Sequence, residues 1–145
     1  MPSMAATSLD DEPRQDFAGQ SMFTRIAGRY DAMNALLSAG LDGRWRRAAA
    51  REAGLSNGGV ALDVGTGTGD LALALAALAP GATVIGLDSN RAMLCRAPGK
   101  ALAAGVSERA RWLLGDGTGL PFADNAFDAV TSSFLLRNLA DLDAG

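Results

Sequence analysis

The sequence predicts an α/β fold in which a parallel sheet carries helices on both faces. Short apolar runs alternate with helix-forming segments along residues 58–145. The first of these runs leads into a glycine-dense loop, and the second ends at an aspartate. Strands that alternate with helices imply right-handed crossovers and therefore a parallel sheet. The chain of 145 residues, 48% of them hydrophobic, is long enough for one domain, which we place at residues 17–145.

The segment before the sheet is predicted to be a tail followed by two helices. Residues 1–16 are small, polar and acidic without a hydrophobic period, so we interpret them as a mobile tail. Apolar residues at steps of three and four along Phe23–Leu37 predict an amphipathic helix. A second helix is predicted over Trp45–Glu52, with Gly54 as its stop. Residues 20–54 are thus predicted to be a helical segment that precedes the sheet.

Four strands and the helices between them are predicted for the rest of the chain. The strands are Val60–Val64, Thr83–Leu87, Arg111–Leu114 and Phe127–Phe134. Asp70–Leu78 is a strong helix former, and Ser89 or Asn90 is a suitable N-cap for the next helix. That helix is expected to run to Ala97 and to break there, because Pro98 removes an amide donor.

Charge and hydropathy exclude several kinds of partner. The net charge is −3, and no local basic patch suggests nucleic-acid binding. The densest basic stretch, around Trp45, is interpreted as a solvated helix face, with a functional role left open. The longest apolar run, Leu71–Ala79, is too short to span a bilayer. The arginines of the basic stretch are Arg44, Arg46, Arg47 and Arg51.

Cysteine and histidine usage narrows the chemistry. One Cys cannot form an internal disulfide, and the absence of His removes His-based triads and nearly all common catalytic zinc sites. No metal is expected. We predict a reducing, cytoplasmic setting and interpret Cys95 as a small buried apolar residue, a reactive thiol being the alternative.

The glycine loop, residues 63–70, has the spacing Asp-x-Gly-x-Gly-x-Gly between a strand and a helix. A dinucleotide site would need a third glycine at position 70, where the carboxylate of Asp70 disfavours a pyrophosphate. The spacing resembles the first motif of class I S-adenosylmethionine (SAM) methyltransferases. That resemblance places Gly65, Gly67 and Gly69 at the cofactor and lets Asp63 contact its amino group, directly or through water. A purely structural turn is the alternative.

Two further acidic residues follow the next strands. Asp88 ends the second strand, where a carboxylate can accept hydrogen bonds from both ribose hydroxyls. Asp116 ends the third strand, where class I methyltransferases usually hold the adenine amino group. Because parallel strands end at one edge of a sheet, Asp63, Asp88 and Asp116 should line that edge.

The longer motifs resemble the ubiquinone and menaquinone biosynthesis C-methyltransferase family. The match runs nearly continuously from Phe23 to Asp143, and the stretches Tyr30–Asn34 and Phe134–Asn138 are much more specific than the glycine loop. The resemblance implies a Rossmann-like class I methyltransferase fold and SAM as methyl donor. It assigns SAM contacts to Thr68, Asp88, Asp116, Gly117 and Ser133.

The implied reaction is methyl transfer to a ring carbon of a prenylated quinol, first of all demethylmenaquinol to menaquinol, with a benzoquinol left open. We hypothesise that Arg137 stabilises the phenolate and that Asn138 or Tyr30 orients the ring, a structural salt bridge being the alternative for Arg137. Without His, water or a carboxylate must take the proton. The helix bearing Tyr30–Leu37 is implied to cover the active site.

The family's fold has seven strands, whereas this chain ends at Gly145, soon after the fourth. We therefore expect an N-terminal portion with strands in the order 3-2-1-4, an uncovered edge at the fourth strand, and weak or absent activity of the chain alone. The alternatives are a methyltransferase for another small molecule and a non-catalytic SAM-binding module. Membrane contact is expected only peripherally, through the substrate tail, and an oligomer is left open.

Overall fold

The computed structural model describes residues 41–132 and two isolated positions, 25 and 29. In chain order its elements are α1 (Leu41–Glu52), β1 (Val60–Val64), α2 (Asp70–Leu78), β2 (Thr83–Asp88), α3 (Arg91–Leu94), α4 (Ala97–Ala103), β3 (Ala110–Leu114) and β4 (Ala129–Ser132). The predicted tail, the predicted helix over Phe23–Leu37 and the end of the predicted fourth strand lie outside the described residues.

The four strands form one parallel sheet in the order β3-β2-β1-β4, as predicted. In the register, Leu62 of β1 lies beside Ile85 of β2 on one side and Val130 of β4 on the other. Within residues 41–132, β4 pairs with β1 alone, and the Val130 side chain is 61% exposed. The carboxyl ends of all four strands therefore lie at one edge, and β4 is an edge strand of the described sheet.

The two faces of the sheet carry separate hydrophobic clusters. On one face, α2 and α4 pack against the sheet around Leu75 and Val84, both fully buried, and α1 packs on α2. The other face buries Leu62 and Leu87 beneath Phe122 and Phe127, whose rings meet edge to face with centroids 4.9 Å apart. Burying these side chains is the main driving force for the fold. Among the helices of residues 41–132, none has the length and apolar character needed to cross a membrane.

The helical segment after β2 is divided in two. The side chain of Asn90 accepts a hydrogen bond from the Met93 amide at 3.1 Å, which confirms it as an N-cap. The helix ends at Leu94 rather than at Ala97, and α4 begins at Ala97 with Pro98 in its first turn. Cys95 lies in the break and is exposed, so its predicted burial was wrong. The prediction rested on the apolar neighbours Met93, Leu94 and Ala97, which are themselves buried, but Cys95 follows the last residue of α3 and does not share their burial.

Two sets of long-range hydrogen bonds lie at the amino ends of the strands. Arg109 Nη1 donates to the carbonyl oxygens of Ala76 in α2 and of Ala82 just before β2, both at 3.0 Å, and so joins the end of α2 to the start of β2. Asp128 clamps the starts of β4 and β1 together, because its carboxylate accepts the Val60 amide at 2.8 Å while its own amide donates to the Val60 carbonyl.

Candidate cofactor-binding site

The glycine loop between β1 and α2 requires glycine for two different reasons. Gly67 has a φ of +59°, and a Cβ there would contact the Met93 methyl at 3.4 Å. Gly69 has a φ of +91°, and a Cβ there would lie 2.7 Å from Cη2 of Trp112. Glycine at 67 is therefore required by the backbone conformation, whereas Gly69 in addition makes room for a side chain of the protein itself.

The loop is fastened to the end of β2 by its own amides. The amides of Gly65 and Thr66 both donate to the carbonyl oxygen of Leu87, at 2.8 and 2.9 Å. The Gly67 amide donates to Asp88 Oδ2 at 2.7 Å. The loop thus lies over the carboxyl end of the neighbouring strand, where a ligand of an open parallel sheet is expected.

Asp88 is the partly buried carboxylate at the centre of this edge. Its Oδ1 accepts the Asn90 amide at 2.7 Å, and its Oδ2 accepts the Gly67 amide. Burial raises the pKa of Asp88, while the hydrogen bonds from backbone amides lower it. An ionised carboxylate offers about four acceptor directions, so both oxygens can accept further hydroxyl donors.

Asp63 is only 1% exposed and holds two elements together. Its Oδ2 accepts the Thr66 hydroxyl at 2.7 Å, and its Oδ1 accepts the Thr131 hydroxyl of β4 at 2.8 Å. Burial raises the pKa of Asp63 to about 6, although the two hydroxyl hydrogen bonds lower it. The predicted direct contact with a cofactor amino group does not suit a carboxylate enclosed in this way.

Asp116 lies in the turn that follows β3 and is exposed. Its Oδ1 accepts the Thr118 amide at 2.9 Å. The preceding Gly115 amide donates to the carbonyl of Asp88 at 3.0 Å, which ties this turn to the end of β2. The three predicted carboxylates therefore do stand at neighbouring strand ends, and Gly117 lies in the same turn as Asp116.

The carboxylate of Asp70 forms an ion pair with Lys100 and lies 3.4 Å from Arg46 Nη1. Its charge is thus compensated from α4 and α1, and the electrostatic argument against a pyrophosphate is weaker than the sequence suggested. Lys100 also donates to the hydroxyl of Thr68, which is 2% exposed, at 2.9 Å. Sequence reasoning missed Lys100 and Arg46 because both reach Asp70 from other helices.

Several predicted site residues fall outside residues 41–132. They are Tyr30, Ser133, Arg137 and Asn138. Within the described part, Trp45 and most of the neighbouring arginines are exposed, as expected of a solvated helix face. Arg46 is the exception, because it contacts Asp70.

The sequence profile of the ubiE/COQ5 methyltransferase family matches residues 11–145. The chain belongs to that family. A demethylmenaquinone methyltransferase of Thermus thermophilus is 51% identical over 122 residues, which cover 84% of this chain and 54% of that protein. A ubiquinone/menaquinone biosynthesis C-methyltransferase of Desulfotalea psychrophila is 44% identical, over 84% of this chain and 48% of its own. The chain spans about half the length of the curated relatives it matches.

A solved structure has a similar fold over part of this chain. A SAM-dependent methyltransferase from Thiobacillus denitrificans, in complex with S-adenosylhomocysteine, is 25% identical with a TM-score of 0.52, over 60% of this chain and 35% of that one. The ubiE/COQ5 member described here therefore has the Rossmann-like class I methyltransferase fold, and the family supports SAM as the cofactor.

Proposed function

We propose that the carboxyl edge of the sheet binds SAM and that the protein methylates a ring carbon of a prenylated quinol, with demethylmenaquinol as the first candidate. The proposal rests chiefly on membership of the ubiE/COQ5 methyltransferase family. The geometry of the edge supports it, since the glycine loop lies beside the partly buried Asp88 and donates the Gly67 amide to its carboxylate. SAM, when bound, supplies a methyl group carried on a sulfonium.

The described residues fit such a ligand in separate ways. Asp88 would accept the ribose hydroxyls, because both its oxygens stand at the edge with acceptor capacity left. Asp116, exposed in the next turn, would accept the adenine amino group, with Gly117 beside it. Gly67 would let the backbone approach the ligand, since it has no side chain and its positive φ is one that glycine adopts readily.

Asp63 and Thr68 would act through the loop rather than at the ligand surface. Both side chains are buried, and each is hydrogen-bonded to another part of the protein. We assign them to holding the loop amides in place before the cofactor arrives, which reduces the entropy lost on binding. The negative charge of Asp63 would still favour a cationic ligand at this edge.

The substrate half of the proposal depends on residues outside the described part. A ring carbon becomes a good nucleophile when a neighbouring hydroxyl is deprotonated, so a cation near the phenolate lowers the barrier. Arg137 would supply that cation, Asn138 or Tyr30 would orient the ring, and water or a carboxylate would take the proton. In a family enzyme active on the quinol, Arg137→Ala should lower kcat strongly, and full activity would contradict the assignment.

Calorimetry with S-adenosylhomocysteine tests the cofactor half of the proposal. We expect micromolar binding, on the order of −8 kcal/mol, with NADH at least tenfold weaker. Tighter binding of NADH would contradict a SAM site. Absence of binding to either would contradict the proposed cofactor role of the edge.

A methylation assay tests the substrate. The protein is incubated with methyl-labelled SAM and either demethylmenaquinol or the corresponding demethylated benzoquinol, each with a short prenyl chain. More label in the naphthoquinol than in the benzoquinol would support the first candidate. The same assay measures the expected weak or absent turnover by this chain alone. If SAM binds but the label enters an unrelated small molecule, the protein is a methyltransferase for another substrate. If SAM binds and a family enzyme of full length labels neither quinol, a non-catalytic SAM-binding module is favoured. Cytoplasmic location and peripheral membrane contact stay predictions.

A further inference from the structure

The strongest feature outside the proposed ligand contacts is a bridge from α4 to the start of α2. Lys100 Nζ donates to Thr68 Oγ1 at 2.9 Å and forms an ion pair with the carboxylate of Asp70. The side chains of Lys100 and Asp70 are 28% and 26% exposed, so they are partly shielded from water. One cation therefore contacts two residues on either side of Gly69.

Stability alone gives a weak reason for this arrangement. Ion pairs near the surface contribute little to the free energy of folding, because water screens them and long side chains lose entropy. The hydroxyl that Lys100 reaches is different, since Thr68 is 2% exposed and belongs to the glycine loop. The contact thus extends from a half-exposed helix into the buried base of the loop.

The loop itself is held from two sides. On the β2 side, Leu87 and Asp88 accept the amides of Gly65, Thr66 and Gly67. On the α2 side, the bridge from Lys100 fixes Thr68 and Asp70. Gly67 and Gly69 both have positive φ, so the segment between these attachments departs from the conformations that the chain prefers elsewhere. A loop of that kind keeps its amides aligned only while both ends are fixed.

We infer that Lys100 is a positioning residue for the cofactor site, which fixes the α2 side of the glycine loop by binding Thr68 and Asp70 together. The inference rests on the proposed binding of SAM at this edge. It assigns Lys100 no contact with the cofactor. Its effect should appear as a change in affinity and in loop mobility, with little change in global stability.

Three variants test the inference. Lys100→Met removes the charge and keeps the aliphatic stem, Lys100→Arg keeps a donor that can span both partners, and Arg91→Met removes an exposed cation from the neighbouring helix α3 as a control. We expect Lys100→Met to weaken S-adenosylhomocysteine about tenfold in calorimetry because the loop is less preorganised. Lys100→Arg and Arg91→Met should stay within about threefold of the unchanged protein.

Hydrogen exchange of the ligand-free protein gives a second measurement that needs no cofactor. The Gly67 and Gly69 amides, which donate to Asp88 and to the Thr66 carbonyl, should exchange about tenfold faster in Lys100→Met, while amides of β1 and β2 should be unchanged. Faster exchange throughout the sheet, or a melting temperature lowered well beyond that of Arg91→Met, would show a merely structural role and overturn the inference.

The double variant Asp70→Asn/Lys100→Met tests the route of the effect. If Lys100 acts through Asp70 and Thr68, adding Asp70→Asn should not weaken binding further, whereas independent effects would multiply. Unchanged exchange and unchanged affinity in Lys100→Met would contradict the inference. If the unchanged protein binds no S-adenosylhomocysteine, the proposed function fails, and the exchange measurement still decides whether Lys100 fixes the loop.

Discussion

The ends of β2 and β3 are each followed or closed by a carboxylate with a predicted role in cofactor binding, yet the two carboxylates are held very differently. Asp88 is partly buried, and each of its oxygens accepts a backbone amide from a different segment. Asp116 is exposed, and the contact that orients it is the Thr118 amide within its own turn. Asp88 is therefore the fixed end of the site, because two separate segments hold its carboxylate. The side chain of Asp116 is the adjustable end, because only the Thr118 amide is seen to hold it, in a turn that the Gly115 amide ties to Asp88.

Because the two carboxylates are held differently, their removal should have different consequences for ligand binding. A rigid acceptor loses little entropy when a ligand binds, and its removal also releases whatever it was holding. Asp88 holds the Gly67 amide, so ligand contact and loop shape depend on the same side chain. Asp116 can adjust to its ligand and can be lost with less effect on its surroundings.

The largest expected effect is on cofactor affinity when the two carboxylates are removed in turn. Asp88→Ala should weaken S-adenosylhomocysteine about 100-fold, because charged hydrogen bonds of about 1.5–3 kcal/mol each are lost together with the anchor of the loop. Asp116→Ala should weaken it about fivefold, since one adjustable contact is lost. Calorimetry measures both.

Glu108→Ala is the matched control, because it removes an exposed carboxylate just before β3, at the opposite end of that strand. Its affinity should be unchanged. Equal losses in Asp88→Ala and Asp116→Ala would break the comparison, since the fixed and the adjustable end would then contribute alike.

The buried charge of Asp63 gives the next effect, a pH dependence of stability. A carboxyl group with a folded pKa of about 6, above its unfolded value of 3.8, binds protons more readily in the folded state. Stability from this group is therefore full below the unfolded pKa and is lost as pH rises through the folded pKa. The difference amounts to about 3 kcal/mol.

Asp63→Asn removes that titration and keeps the size of the side chain. Relative to the unchanged protein, the variant should gain stability between about pH 4 and about pH 7, because it has no charge to bury. Urea unfolding of both proteins at several pH values measures the difference. A difference that stays constant across this range would show that Asp63 titrates near its ordinary pKa.

A smaller effect is expected at Gly86, which lies in β2 two residues before Asp88. A Cβ there would lie 2.7 Å from Trp112 ring atoms and 2.9 Å from Cγ2 of Thr66. Gly86→Ala should therefore lower the free energy of unfolding by about 2 kcal/mol through overpacking. In the background of Trp112→Leu the same change should cost about half as much, because the close contact with Thr66 remains. An undiminished loss in that background would show that the Trp112 ring is not the cause.

Local patterns were enough to predict β1 and α2 to the residue, because an apolar run, a glycine loop and a helix former follow one another there. The alternation of strands and helices also predicted a parallel sheet, which places three carboxylates at one edge, whereas the order of its strands followed from the family resemblance. The roles of Lys100, Arg109 and Thr131 were not predictable in this way. Each contacts a residue far away in the sequence, so its partner is determined by how helices and strands pack.

The smallest effect is expected at Gly119, in the segment after β3 that also carries Asp116. A Cβ at Gly119 would have no atom within 4 Å, and its φ is not positive. Gly119→Ala should therefore raise the free energy of unfolding by about 0.5 kcal/mol, since alanine reduces the entropy of the unfolded chain. Urea unfolding and calorimetry with S-adenosylhomocysteine measure stability and affinity together. If Gly119→Ala destabilised the protein as much as Gly86→Ala, the turn after β3 would be as tightly packed as the end of β2, and the division into a fixed and an adjustable end would be wrong.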